Sequence, residues 1–472
     1  MGLIRWMKET FGKMFLRKEA KDVFGIDISS NSKIDSLINQ WYNITGGNPP
    51  WIDAEDDIES INFAQFIDDV TSGLVTLDIG INLPDSARGK HLQKVADYLM
   101  EKIDEKVSDA LGNAGIMFKP NGDNVDYYYP GSFIPTDWDS NKNILGCIFV
   151  NRKYTEKKVY TKFEYHRFES DGENRVYAVS NRAYKSTSAN SKGDPCSLTD
   201  VAEWASLLPD VHIENVDIPL FAYYANPKPN SIDRDSPLKL PFWGLCDKEL
   251  KDLDIAWSRK SAEVEDSKHM TFIPQQAVMF AEQHNIKLPR FLKGLQTGAG
   301  STGRVDEHVA TLLTEQRIQD INSTLAMIST KLGYDQGFFV LDEKTGMVTA
   351  TQVEADDQST IRTIKNLRDP LRDAVIKLLY GVSKFADIYT NLPAEAWCAT
   401  YESLKESLGD AFNWGDITYS YEEDKASWWK YRIQGDVPAW MYYVKFEGMS
   451  EEDAKAMVDE AKPKGQGIFE EE

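Results

Sequence analysis

Two apolar seams, and the distance between them, constrain this chain more than anything else in its sequence. Cys246, Leu250, Leu253, Trp257 and Val264 fall at spacings of four, three, four and seven, and Ile318, Ile321, Leu325, Ile328 and Leu332 at three, four, three and four. Each is the stripe of a helix that packs lengthwise along another helix. The second stops at Gly333, a helix-ending signal. Between them, residues 268–312 hold two expected short strands, 270–273 and 277–280, and a glycine-rich stretch. The expected arrangement is a helix leaving the body, a small module at its far end, and a helix returning.

The segment after the return helix is equally patterned. Phe338–Leu341 and Met347–Thr349 flank Asp342, Glu343, Lys344, Thr345 and Gly346, which reads as a hairpin with glycine supplying positive φ. Thr351 and Glu354 have capping-box spacing and open a long helix. Its stripe is Ile361, Ile364, Leu367, Leu371, Val375, Leu378, Val382 and Phe385, and it runs past Pro370. A proline there removes one helical hydrogen bond and crowds the preceding turn, so a kink is expected near Asp369–Pro370.

The preceding half is more varied. A basic amphipathic helix is expected at the N-terminus, with Leu3, Ile4, Trp6, Met7, Phe11, Met14 and Phe15 between Arg5, Lys8, Lys13, Arg17 and Lys18; the favoured reading is packing on its own body or on a neighbouring subunit. A short helix ending in Trp41–Tyr42 and another near 63–72 flank the turn-forming run Gly46-Gly47-Asn48-Pro49-Pro50-Trp51. Leu92, Val95, Leu99, Ile103, Val107 and Leu111 predict one helix closed by Gly112. Strand-like alternation comes next, clearest at Val159, Thr161, Phe163 and Tyr165, with Gly172 in a hairpin turn, so this lobe is β-rich. Residues 187–241 read as long loops with short elements. A strand at 417–421 and an acidic-aromatic stretch come late, and Ser450 with Asp453 caps a last helix, 451–461. The fold class is α+β.

Composition then narrows function. The chain has 472 residues, enough for two to four lobes. Its formal charge of −22 argues against a protein that grips nucleic acid by its phosphates. It argues less against a channel, whose acidic wall would repel a passing duplex. Cys147, Cys196, Cys246 and Cys398 are far apart and show neither metal-ligand spacing nor a disulfide framework. No run of 18 apolar residues is present and the start lacks a signal peptide's apolar stretch, so the expectation is a protein of the reducing cytoplasm.

No catalytic chemistry stands out. Gly298-Ala299-Gly300-Ser301-Thr302-Gly303 fits GxGxxG, but no strong strand precedes it and Arg304-Val305 replace the residues of a P-loop, so a flexible loop is the preferred reading. The six histidines lack metal spacing. With 75 Asp and Glu residues, any chosen carboxylate pair is uninformative. The chain is expected not to be an enzyme and to need no cofactor or metal.

The order helix, end module, helix, hairpin, long kinked helix is similar to the stem, clip, stem, tunnel loop and wing helix of the portal proteins of tailed phages. Thr349-Ala350-Thr351-Gln352-Val353-Glu354 with Ile361-Arg362-Thr363-Ile364-Lys365 resembles the helix start of portals from siphophages of Gram-positive hosts. So do Trp41-Tyr42 with Pro49-Pro50-Trp51, Asp416-Ile417-Thr418, and the run 445–454. The resemblance implies a portal-like fold: an N-terminal arm (1–30), a mixed α/β, β-rich wing (31–243), stem helices (244–267 and 314–333), a small α/β clip (268–313), a tunnel loop (334–350), the kinked helix with a returning wing segment (351–448) and a short crown (449–472). It further implies a homo-oligomeric ring, dodecameric in the family's manner, at the capsid vertex. Double-stranded DNA would pass through it during packaging and ejection. Partners would be the terminase large subunit, head-completion or adaptor proteins, and the major capsid and scaffolding proteins, with no small-molecule substrate; location would be the virion, after assembly in the host cytoplasm. By this mapping the stem seam is Leu250, Leu253, Trp257, Ile318, Ile321, Leu325 and Ile328, and Pro370 is the kink. Asp342 to Gly346 is the channel loop, with Lys344 at its tip as a candidate phosphate contact, and Arg290, Lys293 and Arg304 belong to the clip that docks the motor. Seven acids against four bases between Cys246 and Asp266 would give the lumen repelling walls if they face it. Two other readings share features with this one. Another capsid or neck protein would lack the helix, module, helix, hairpin order, and a carbohydrate-active enzyme would need a cleft with converging carboxylates.

Overall fold

A run of helices opens the fold, in a computed structural model that describes residues 17–27, 32–52, 58–155, 158–171, 174–188, 191–266, 270–274, 279, 283–284, 292–295, 306–308, 313–342, 346–347, 358–415, 429, 438–447 and 449–460. Helix α1 (Ser32–Thr45) buries Ile34, Ile38, Trp41 and Ile44, one face at helical spacing. Gly47, at φ +74°, then reverses the chain toward α2 (Phe63–Val75). Ser86 caps α3 (Ala87–Met100) by accepting from the Gly89 amide. The stripe from Leu92 to Leu111 was expected to form one helix, but it breaks at Glu101–Lys102, and α4 (Ile103–Gly112) follows in a new direction. The break lets the second half of the stripe pack on α2. Gly112 permits that approach, since a Cβ there would meet the Asp68 carboxylate at 2.6 Å.

Alternation builds the next layer. Strands β1 (Gly80–Ile81), β2 (Ile116–Asn121) and β3 (Asn124–Tyr128) precede an antiparallel run of β4 (Phe133–Trp138), β5 (Ile144–Tyr154), β6 (Val159–Asp171), β7 (Asn174–Ser186) and β8 (Asp194–Cys196), paired in chain order. β9 (Asp210–Ile213) also pairs with β7, and β10 (Ala222–Tyr224) joins β2 and β3 in a smaller sheet. On β6, Phe163 and Tyr165 share a face with Ile134, Ile148 and Val150. That face is covered by Ala20, Val23, Phe24 and Ile26 of the N-terminal arm, whose residues 17–24 are helical. The described part of the arm therefore packs on its own body; the expected apolar stripe, residues 3–15, lies outside the described residues.

The expected helix pair comes after the sheets: α5 (Asp247–Asp266), then β11 (Met270–Pro274), β12 (Leu292–Leu295) and β13 (Asp306–His308), then α6 (Thr314–Leu332). β11 is central, parallel to β12 and antiparallel to β13. Of the second strand expected at 277–280, only Met279 is described, and it is helical. β14 (Leu341–Asp342) and β15 (Gly346–Met347) form the hairpin, shorter than expected because Phe338–Val340 is turn and loop; Phe339 is buried among Phe63, Phe66 and Tyr334. The long helix α7 (Gln358–Tyr389) is helical through Pro370 and buries Ile364, Leu367, Leu371, Val375, Leu378 and Val382 against α2, α3, β2 and β10. The expected cap at Thr351 lies outside the described residues. α8 (Tyr401–Ser407) and β16 (Phe412–Asn413), which pairs with β1, return to the body. α9 (Ala439–Glu447) and α10 (Glu451–Glu460) are the last described elements, α10 capped by Ser450 as expected, while 417–421 lies outside the described residues. The architecture is mixed α/β, consistent with α+β, and among the described residues no helix is long and apolar enough to cross a membrane.

Candidate functional site

Charge fixes the sense of the helix pair. Glu263 of α5 accepts from Arg317 Nε at 2.9 Å, and Lys331 of α6 reaches Glu249 at 2.6 Å. The same sequence separation divides the two pairs in each helix, so α5 and α6 are antiparallel and in register over about 20 Å at 1.5 Å per residue. Between the clamps the seam closes with Leu250, Leu253, Ile321, Leu325 and Ile328 all buried, while Trp257 and Ile318, nearer the distal module, are half-buried. Lys260 sits over the Trp257 ring.

Up to Glu263, the acids of α5 do not form an exposed wall. Asp254 is buried, accepting from Trp51 Nε1 at 2.9 Å and from the Ile61 amide at 3.0 Å, and burial raises its pKa despite both bonds. Asp247 is half-buried, and burial, then Glu249, pushes it up to about 6. Glu249 and Glu263 are held in the clamps. The exposed charges of α5 up to residue 263 are Lys248, Lys251, Asp252 and Arg259; the side chains of Glu265 and Asp266 lie outside the described ones. Asp254 anchors the helix in the body, and Glu249 and Glu263 pair it with α6.

The hairpin is folded back along α6. Asn322, midway along that helix, brackets Leu341 by accepting from its amide at 2.9 Å and donating to its carbonyl at 3.2 Å. Asp342 pairs with Gly346, so the hairpin's turn is Glu343, Lys344 and Thr345, which lie outside the described residues. The α6 terminus is tied to α7 by Thr363 Oγ1, which donates to the Gly333 carbonyl at 2.6 Å, and by the Asp335 amide, which donates to Thr360. Lys293 lies on β12, opposite Phe272 of β11; Arg290, Arg304 and the Gly298–Gly303 motif lie outside the described residues. Asn322 and Asp254 were not singled out from sequence, where a lone Asn or Asp within a helix carries no distinguishing pattern.

A second site was missed altogether. On β6, Lys162, Glu164 and His166 alternate with the apolar face and point the other way; Lys162 and Glu164 line a cleft of about 630 Å³ between the sheet, the β2–β3 hairpin and the last turns of α7, while His166 lies beside it among Phe149, Tyr177 and Phe221. All three are buried, as is Lys119 of β2. Glu164 accepts from Lys119 Nζ with both oxygens at 2.8 Å, from Lys162 Nζ at 2.7 Å, and from His166 Nε2 at 2.8 Å. The Leu220 amide donates to Tyr177 Oη, so the tyrosine proton goes to His166 Nδ1 and the imidazole keeps its own proton on Nε2 for Glu164. Burial alone would raise Glu164, but Lys119 and Lys162 outweigh it and hold the carboxyl well below its ordinary range. Burial holds His166 below its ordinary pKa, against the pull of Glu164, and lowers Lys162 likewise. The network is thus a carboxylate, two lysines and a neutral imidazole. Glu164, ionised and bonded on both oxygens, has no proton to give as an acid.

These shifts set a pH dependence. The unfolded chain takes up a proton at His166 below about pH 6.5, and at Glu164 below about pH 4.5, whereas the folded chain resists both. The unfolded state therefore binds more protons in acid, and both contributions to stability are present above those values and lost as pH falls. Asp68, Asp247 and Asp254, raised by burial, take up protons in the folded state and act with the opposite sign, so the His166 contribution is read by difference. From about pH 7.5 down to 5 the urea midpoint of wild type should fall relative to that of His166→Gln. A difference between the two that stays constant or grows in favour of wild type toward acid contradicts the assignment.

Among the described residues no group of three or more His, Cys, Asp or Glu side chains is placed to hold a metal ion. No protein-family model matches the chain, and no curated protein matches it.

Proposed function

We propose that the chain is a subunit of a phage portal: a ring, of twelve copies in the family's manner, at the capsid vertex through which double-stranded DNA is packaged and ejected. One observation carries the reading. An antiparallel helix pair holds a small three-stranded module at its far end and is followed directly by a hairpin laid along the return helix and by a 32-residue helix running into the body. A module held out on paired rods, with the rods rooted in a large core, suits a subunit that contacts neighbours along the rods and offers its tip to partners. Heterologous contacts of that kind close into a ring when the rotation closes. In this reading the module around Lys293, with Arg290 and Arg304, docks the terminase large subunit and later the head-completion or adaptor proteins. The β-rich lobe contacts the major capsid and scaffolding proteins, and the Asp342–Gly346 loop faces DNA in the virion.

Negative-stain microscopy of the purified chain should give rings with a central hole. Deleting residues 342–346 should leave the rings intact and abolish or strongly reduce DNA packaging, because the rods and their clamps do not involve the loop. A monodisperse monomer under all assembly conditions excludes the ring, and a deletion that packages normally removes the loop's assigned role.

A further inference from the structure

We propose that the cleft lined by Lys119, Asp126, Lys162 and Glu164 is a binding site for a small saccharide. The inference does not depend on ring formation.

Buried charge is retained at a cost, because a desolvated ion is tolerated only when paired and hydrogen-bonded. Here two lysines, a glutamate and a histidine occupy the inner face of rigid strands, where apolar side chains would pack without that cost. Such a floor makes sense if it meets something polar.

The charges say what kind of ligand. Lys119 lies between Glu164 and Asp126, the latter at 3.5 Å, and Lys162 pairs with Glu164, so two cations face two anions. At the rim Lys153 pairs with Glu203, and Lys94 with Asp123. No unmatched charge is left among these groups to select an anion or a cation. Hydrogen-bonding capacity of both kinds remains. Lys162 Nζ donates one described bond, to Glu164, out of three donors. Asp126 accepts from Asn121 on one oxygen and has spare capacity on the other. Asn181 donates to the Leu208 carbonyl, while its own side-chain carbonyl has no described partner. Donors and acceptors side by side match hydroxyl groups, each of which needs one of both.

The opposite wall is aromatic. Tyr389, 57% exposed, and Phe385 lie on the last turns of α7 with ring centroids 6.3 Å apart, and Trp204 flanks Lys162. A ring of C–H groups laid on Tyr389 with its hydroxyls toward Lys162 and Asp126 satisfies both walls. A purely apolar ligand would strand the polar floor, and an ion would unbalance it. Glu164, ionised and bonded on both oxygens, serves as an acceptor in this site and not as an acid.

Saturation-transfer NMR and calorimetry on the full chain, with glucose, galactose, N-acetylglucosamine, maltose and cellobiose as probes and acetate and phosphate as ionic controls, test this. At least one sugar should bind saturably. Tyr389→Ala, at an exposed position that leaves the fold intact, should weaken it at least tenfold, and Tyr389→Phe should retain it. Lys162→Met, checked for folding by circular dichroism, should weaken it comparably. The proposal is overturned if none of these sugars binds, if binding is indifferent to Tyr389→Ala, or if acetate or phosphate occupies the floor in their place.

Discussion

Glu164→Gln should destabilise the protein by about 5 kcal/mol, the upper end of what breaking a buried ion pair costs. The substitution is nearly isosteric, so packing is unchanged and the effect is electrostatic. The carboxylate serves three donors at once: Lys119, Lys162 and the His166 Nε2–H, at 2.7 to 2.8 Å. A neutral amide can accept on one atom only, and its NH2 group would face an ammonium. Two buried cations would then be left with Asp126 alone, at 3.5 Å from Lys119. Lys162, already pulled down by burial, would respond by losing its proton. Hence the double variant Glu164→Gln with Lys162→Met should recover part of the loss, a non-additivity that independent sites do not show. Urea unfolding of wild type, both single variants and the double variant provides the cycle. A Glu164→Gln loss under about 1 kcal/mol, or strict additivity, would show that the network is not a closed charge unit.

The contrast between what was legible in the sequence and what was not comes from where each signal resides. The seams of α5 and α6 could be read because helix packing along a helix imposes its period on the chain itself, and the pairing of Leu341 with Met347 reflects a short polar loop between apolar runs. The Ser450 cap is likewise a local interaction. The break between α3 and α4 was not legible, since the apolar period continues unchanged across Glu101–Lys102 and only the choice of partner changes. The polar cleft is the sharper case. Lys162, Glu164 and His166 alternate with Thr161, Phe163 and Tyr165, a pattern that reads as a strand with one solvated face. That face is in fact covered by α7, whose position depends on residues far along the chain. A hint was present: Lys, Glu and His at consecutive inner positions of one strand form a charge-compensated set, which a merely solvated face does not require. The acids of α5 show the same limit in reverse. Their number was visible, but whether Asp254 meets water or Trp51 is a tertiary fact.

Replacing Arg88 should also destabilise the protein, by less and for a different reason. Arg88, on α3, has no exposed surface, and its guanidinium crosses the last turns of α7. Nη1 donates to the Ser383 carbonyl at 2.6 Å; Nη2 donates to Asp387 at 2.7 Å and to the carbonyls of Leu392 and Pro393, both at 3.1 Å. A cation at a helix C-terminus meets the negative end of the helix dipole, and these carbonyls have few other donors once the chain leaves the helix. Arg88→Met keeps most of the volume and leaves the buried Ser383 carbonyl without this donor, while Asp387, 40% exposed, and the Leu392 and Pro393 carbonyls can turn to water, so the loss should be about 1–3 kcal/mol. Arg88→Lys should fall nearly as far, because one ammonium cannot span the fork that reaches Ser383 on one side and Leu392 on the other. Hydrogen exchange should accelerate selectively across residues 383–393 in both variants, reporting that the end of α7, and with it the Tyr389 wall of the cleft, has come loose. If Arg88→Lys is as stable as wild type, charge alone suffices and the fork has no role; if Arg88→Met is also within about 1 kcal/mol, the helix end is held by apolar packing and not by the buried guanidinium.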